Sequence, residues 1–112
     1  MNNSENIAWE SLRKELESKV GINPDLQGIL FLIGVQQLGK GVRSFSKEEK
    51  TDLLHIAVCR LFSQKGYYEF EGYDEEGWPH WKNIKKLPWA DLMKQEEILK
   101  EQILLYFGKG LR

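Results

Sequence analysis

Asp52, His55 and Cys59 follow one another at steps of three and four residues. On a helix that spacing stacks side chains on one face. An imidazole beside a thiol can take its proton and leave a thiolate nucleophile. The same residue types ligate metals. Against both uses, three groups in one row on one helix lack the in-line geometry of a triad, and a metal would need further ligands, from His80 or from acids elsewhere. The plainer reading makes Cys59 a small buried hydrophobe with His55 at the core edge. An enzyme using His55 and Cys59 therefore ranks behind a non-enzymatic role, and no catalytic residue, metal or cofactor is expected. No P-loop, dinucleotide fingerprint or HExxH motif is present.

His80 stands between Pro79 and Trp81. Opposite Glu71 in a hairpin it would hold its proton to higher pH, giving a pH-sensitive group, or it is an ordinary surface histidine. Charge is uneven along a globally neutral chain of net charge −1. Residues 40–65 carry six basic and three acidic groups, residues 66–81 five acidic groups and no Lys or Arg, and residues 82–90 three lysines and no acid. Lys40, Arg43 and Lys47 could join Lys82, Lys85 and Lys86 in one anion or nucleic-acid site, helped by a helix N-terminus. The alternative is two solvated basic loops.

The aromatic residues are the densest signal. Tyr67, Tyr68, Phe70, Tyr73, Trp78, Trp81 and Trp89 fall within 23 residues. A hairpin looped at Asp74-Glu75-Glu76-Gly77 pairs Tyr73 with Trp78, Glu71 with His80, Phe70 with Trp81 and Glu69 with Lys82. Phe70, Trp81 and Tyr68 then share one face and Tyr67, Tyr73 and Trp78 the other. Two aromatic faces exceed what one small sheet needs for one core. Either a terminal helix covers the second face, or Tyr73, Trp78, Trp81 and His80 form a partner-binding surface.

These residues need elements to hold them. Trp9, Leu12, Leu16 and Val20 form one helical stripe, opened by Ser4 and stopped at Gly21. Asn23-Pro24 predicts the start of a second helix, apolar nearly all round to Leu38, whose Gly28 and Gly34 would admit another backbone. Ser46 and Glu49 form a capping box for a third helix reaching about Gln64. The hairpin spans Tyr67 to Ile84. A last helix, capped near Pro88 to Asp91, carries Leu92, Leu99 and Ile103. The expected class is α+β and mainly helical: three helices, a β-hairpin and a C-terminal helix, in one domain over residues 1–112 with loose ends at 1–4 and 109–112.

Composition sets the outer bounds. The chain has 112 residues, 41% of them apolar, enough for one modest core. One cysteine cannot form an internal disulfide or a Cys-rich zinc site. The longest apolar run, Ile29 to Val35, is far short of the roughly 20 residues of a membrane span. The polar first residues do not read as a signal peptide. The expectation is a cytoplasmic protein that leaves the membrane alone.

Asn23-Pro24-Asp25-Leu26, Ile29 to Gly34, and Gly77-Trp78-Pro79-His80-Trp81 together resemble a group of small uncharacterised bacterial proteins of unassigned function over residues 20–107, and that resemblance implies no activity. The order of helices and hairpin over residues 24–84 is similar to a winged-helix domain. That likeness implies a third helix reading DNA and a hairpin wing. The sequence departs from the pattern in its long connection before helix three, in the mixed charge of that helix and in its acidic wing tip. The leading expectation is a non-enzymatic protein-interaction module, binding a protein or a second copy of itself. A winged-helix nucleic-acid regulator is the alternative.

Overall fold

The apolar stripes and the aromatic segment become four helices and one antiparallel hairpin: α1 (Asn3–Val20), α2 (Leu26–Leu38), α3 (Lys47–Ser63), β1 (Tyr68–Tyr73), β2 (Pro79–Asn83) and α4 (Leu92–Tyr106). The class is α+β and mainly helical. The structure, a computed structural model, describes residues 3–21, 23–41, 43–87 and 92–108. The expectations for Trp89, for a cap at Pro88 to Asp91 and for the tail from Lys109 lie outside these residues. None of the described helices is long and apolar enough to cross a membrane.

The chain divides into two compact units. The first holds α1, the segment to Leu26, and α4. Trp9, Leu12 and Leu16 are buried, as their spacing predicts. Val20 departs from the stripe and is exposed, because α1 ends there and Gly21 turns the chain away with φ of +85°. Asn3 and Ser4 already belong to α1, so Ser4 lies inside the helix rather than capping it. Leu99, Ile103 and Leu104 of α4 are buried, and the Lys100 ammonium sits 5.4 Å from the centre of the Trp9 ring.

Asn23 and Pro24 do not open α2, which starts at Leu26. They finish the turn after α1 instead. The Asn23 amide donates to Glu17 Oε2 at 3.1 Å, and the Pro24 carbonyl accepts the Arg13 Nε–H at 2.9 Å.

The second unit runs from Gln27 to Leu87. The Ser46 hydroxyl accepts the Glu49 N–H at 3.1 Å, and the Glu49 carboxylate accepts the Ser46 N–H at 2.9 Å, so the capping box that starts α3 is complete. Leu53, Ile56, Ala57, Cys59, Leu61 and Phe62 form the buried face of α3. Leu38, Phe45 and Leu53 make a core cluster, against which Phe31, Val35 and Trp78 pack. Phe31 meets Phe45 edge-on at 6.0 Å. After α3 the Tyr67 N–H returns to the Phe62 carbonyl at 3.1 Å and the Gly66 N–H to Ser63 at 3.1 Å. This pairing closes the helix end and turns the chain into β1. Both strands contact α3.

At Gly34 the backbone of α2 comes close to that of α3. A Cβ there would overlap the backbone carbonyl of Leu53, which a flexible side chain could evade but a backbone cannot. Alanine favours a helix by about 1 kcal/mol over glycine, so propensity and packing oppose each other at this position. Packing should win: Gly34→Ala is expected to destabilise the protein by about 1–3 kcal/mol. Urea denaturation followed by circular dichroism would measure this, and an unchanged or raised midpoint would disprove the close approach.

Candidate functional site

The hairpin register places Tyr68 opposite Asn83, Glu69 opposite Lys82, Phe70 opposite Trp81, Gly72 opposite His80 and Tyr73 opposite Pro79. The pairs expected for Glu69 and Phe70 are found. Those expected for Glu71 and Tyr73 are not, because a β-bulge falls between Phe70 and Gly72 and leaves Glu71 as the extra residue. Gly72 carries the bulge with φ of +110°, a conformation that side chains disfavour. A glycine inside a strand was the available signal for this irregularity.

The extra residue reverses the alternation beyond it. Tyr73 therefore joins Phe70 on one face, where Pro79 and Trp81 also lie. The Phe70 ring meets Tyr73 edge-on and Trp81 at a tilt, each with ring centres 5.2 Å apart. Part of this face is covered: Pro79 is buried and Tyr68 and Trp81 are half-buried. Phe70 remains 44% exposed and Tyr73 64% exposed. The Trp81 indole N–H is buried and has no acceptor among the described residues, an arrangement that carries a desolvation penalty.

Trp78 does not pair with Tyr73. It stands at the end of the turn, half-buried against Leu38, Phe45 and Leu53. Tyr67 packs edge-on against Phe62 at 6.1 Å. The two aromatic faces expected from the sequence thus become one, and the helical core takes up Trp78 and Tyr67.

Asp74 organises the turn. Its Oδ1 accepts the N–H groups of Glu76 and Trp78, each at 2.9 Å, and its Oδ2 lies 2.9 Å from His80 Nε2. His80, exposed, therefore finds its carboxylate at Asp74 and not at Glu71. The His80 hydrogen bond foremost, then the Trp78 and Glu76 N–H groups, hold the Asp74 carboxyl below its ordinary range. The turn is further tied to the α2–α3 connection, where the Lys40 ammonium donates to the Glu76 carbonyl.

Between α3 and this turn lies an open cleft of about 350 Å³. Glu49, Asp52, His55 and Ile56 line it from α3, and Asp74, Glu76, Trp78, Pro79, His80 and Trp81 from the hairpin. Its acids divide into two kinds. Glu49 is occupied by its capping bond, which lowers its pKa, and by Arg43 at 3.2 Å. Asp74 is occupied by the turn. The Asp52 and Glu76 carboxylates have no hydrogen bond or ion pair among the described residues. No Lys or Arg lines the cleft, and no group of three or more described His, Cys, Asp and Glu residues could hold a metal ion.

The row of possible catalytic groups is only partly assembled. His55 Nε2 lies 3.5 Å from Cys59 Sγ, while no hydrogen bond joins Asp52 to His55. Cys59 is fully buried, and burial pushes its thiol up to about 11.

The six basic candidates do not form one patch. Lys40 reaches the hairpin tip and Lys85 lies 4.9 Å from the centre of the Tyr67 ring at its base. A strand of this length separates those ends by roughly 17–20 Å. Arg43 pairs with Glu49 and lies over the Phe45 ring at 4.9 Å. Lys82 sits opposite Glu69. Lys47 and Lys86 are exposed. Comparison of the chain with known protein families, curated proteins and solved structures gives no match.

Two measurements follow from these environments. Cys59 should react with a thiol reagent at pH 8 about a hundredfold more slowly in the folded than in the unfolded protein, since a pKa near 11 leaves few thiolates; equal rates would contradict its burial. The lowered Asp74 pKa means that its bonds stabilise the turn fully above the ordinary carboxylate value of 3.8 and are lost as pH falls through the lower folded value. Carbon-detected NMR titration should place the Asp74 midpoint below 3.8, and a midpoint above it would rule out this bonding.

Proposed function

We propose that the chain is a non-enzymatic protein-interaction module that engages its partner through the aromatic face of the hairpin. The observation that carries this reading is the exposure of Phe70 and Tyr73 on a face where their rings already pack on each other and the Phe70 ring also packs on Trp81. Large aromatic side chains dominate the energetics of protein interfaces. Rings held by their neighbours lose little freedom when a partner covers them. Tyr73 and Trp81 act as anchors in this reading, with His80 beside them on the opposite face of β2. Trp78 serves from behind, holding the turn against Leu38, Phe45 and Leu53.

The chemistry of the remaining residues supports the same choice. A thiol raised to about 11 stays protonated at neutral pH and makes a poor nucleophile. The basic residues are spread along the hairpin and the α2–α3 connection, several of them matched to acids or rings of the same unit. A phosphate backbone would meet Glu69, Glu71 and the acidic turn on the way to them.

Phe70→Ser combined with Tyr73→Ser should leave helicity near wild type and lower the thermal midpoint only modestly, because Tyr73 is mostly exposed and Phe70 lies at the surface outside the buried core. The same change should weaken association, with a partner or between copies, by about tenfold to a hundredfold. Sedimentation velocity and photo-crosslinking from position 71 would read the effect. Sedimentation and crosslinked products identical to wild type would sink the proposal.

A further inference from the structure

The cleft beside the aromatic face has a chemical character of its own. Two indole-bearing residues, Trp78 and Trp81, line it together with Pro79 and Ile56. Asp52 and Glu76 add carboxylates with no partner among the described residues, and the basic groups that line it are two imidazoles, His55 and His80, of which His80 is bonded to Asp74, with no Lys or Arg. Lys40 touches Glu76 only at the backbone carbonyl. Apolar walls suit an aliphatic stem, indole faces attract a cation, and free carboxylates accept charge-assisted hydrogen bonds from one. The volume of about 350 Å³ suits a side chain and exceeds what a bare ion needs.

We infer that this cleft receives a lysine or arginine side chain from a basic segment of a protein partner. The inference rests on the reading that the hairpin docks a protein, and it adds the partner's chemistry. Charge along the adjoining strand points the same way. Glu69 and Glu71 are exposed and flank Phe70 along β1, Glu69 on the opposite face across from Lys82, so the strand that carries the rings adds negative charge beside them. A second copy is the poorer occupant: antiparallel pairing of two β1 strands about Phe70 would set Glu69 of each against Glu71 of the other, a repulsive match.

The test is an NMR titration of the full chain with acetylated, amidated tetralysine, using tetraserine as the neutral control, at about 50 mM salt, where charge pairs are weakly screened. Shifts should concentrate on Asp52, His55, Glu76, Trp78 and Trp81, saturate, and fade as salt is raised. Asp52→Asn with Glu76→Gln should raise the Kd about tenfold, while Glu69→Gln with Glu71→Gln, an equal loss of charge outside the cleft, should change it much less.

Equal effects of the two double variants would mean a diffuse acidic surface and overturn the inference. So would shifts spread over all acidic residues. A concentration-dependent dimer that excludes tetralysine would overturn it too, in favour of a second copy. The two readings fail separately. If Phe70→Ser with Tyr73→Ser removes partner association but Asp52→Asn with Glu76→Gln leaves tetralysine binding intact, the cleft assignment falls and the aromatic face stands. If the cleft variant weakens tetralysine binding while the ring variant leaves association untouched, the face reading falls, and with it the premise that a docking protein supplies the cation.

Discussion

Between the pairs Phe70–Trp81 and Tyr73–Pro79, β1 spends one more residue than β2, and the exposed surface of the hairpin follows from that difference. Without the extra residue, Tyr73 and Phe70 would alternate to opposite faces, and Tyr73 would be parted from the Phe70–Trp81 pair. With it, both fall beside Trp81 on the face that α3 only partly shelters. A bulge of this kind bends its strand and re-aims side chains. Gly72 makes it possible, because the backbone there takes a positive φ.

The turn that follows is held by charge as much as by backbone geometry. One carboxylate, Asp74, serves two backbone N–H groups and one imidazole. Because Asp74 is committed in this way, its charge is largely answered within the turn. Glu49 is answered likewise by Ser46 and Arg43. Asp52 and Glu76 are not. An acidic cleft whose acids were all paired would repel nothing and attract little. The unequal use of four carboxylates leaves a focused negative charge beside two indoles.

Local signals were legible in the sequence. The Ser46–Glu49 capping box, the glycine after each helix and the stripe of Trp9, Leu12 and Leu16 all depend on neighbours within a turn of helix, so spacing alone reveals them. The pairing of Glu69 and Phe70 was also readable, because the hairpin is locally connected. What spacing could not show was any choice between two locally acceptable outcomes. Val20 continues a stripe but sits where the helix stops. Asn23 can cap a helix, yet its amide finds Glu17 first. Trp78 looks like a surface anchor until Leu38, Phe45 and Leu53, from three different segments, meet behind it. The cleft was invisible for the same reason, since its two walls lie on segments separated by the C-terminal part of α3 and by β1. Its components were nevertheless singled out for two separate uses, Asp52 and His55 in a possible catalytic row, and His80, Trp78 and Trp81 in a partner surface.

Trp81 joins the two surfaces. Its ring packs on Phe70 and it also lines the cleft. An occupant of the cleft would touch the same side chain that supports the exposed rings, and a partner seated on Phe70 and Trp81 would exclude water at that edge of the cleft. Excluding water strengthens attraction between the free carboxylates and a cation. Apolar docking and cation capture would then reinforce each other through one shared side chain, without any movement of the backbone. A ring cluster alone would accept many apolar surfaces, and an acidic cleft alone would accept many cations. Requiring both at a fixed separation is what would make such a surface selective.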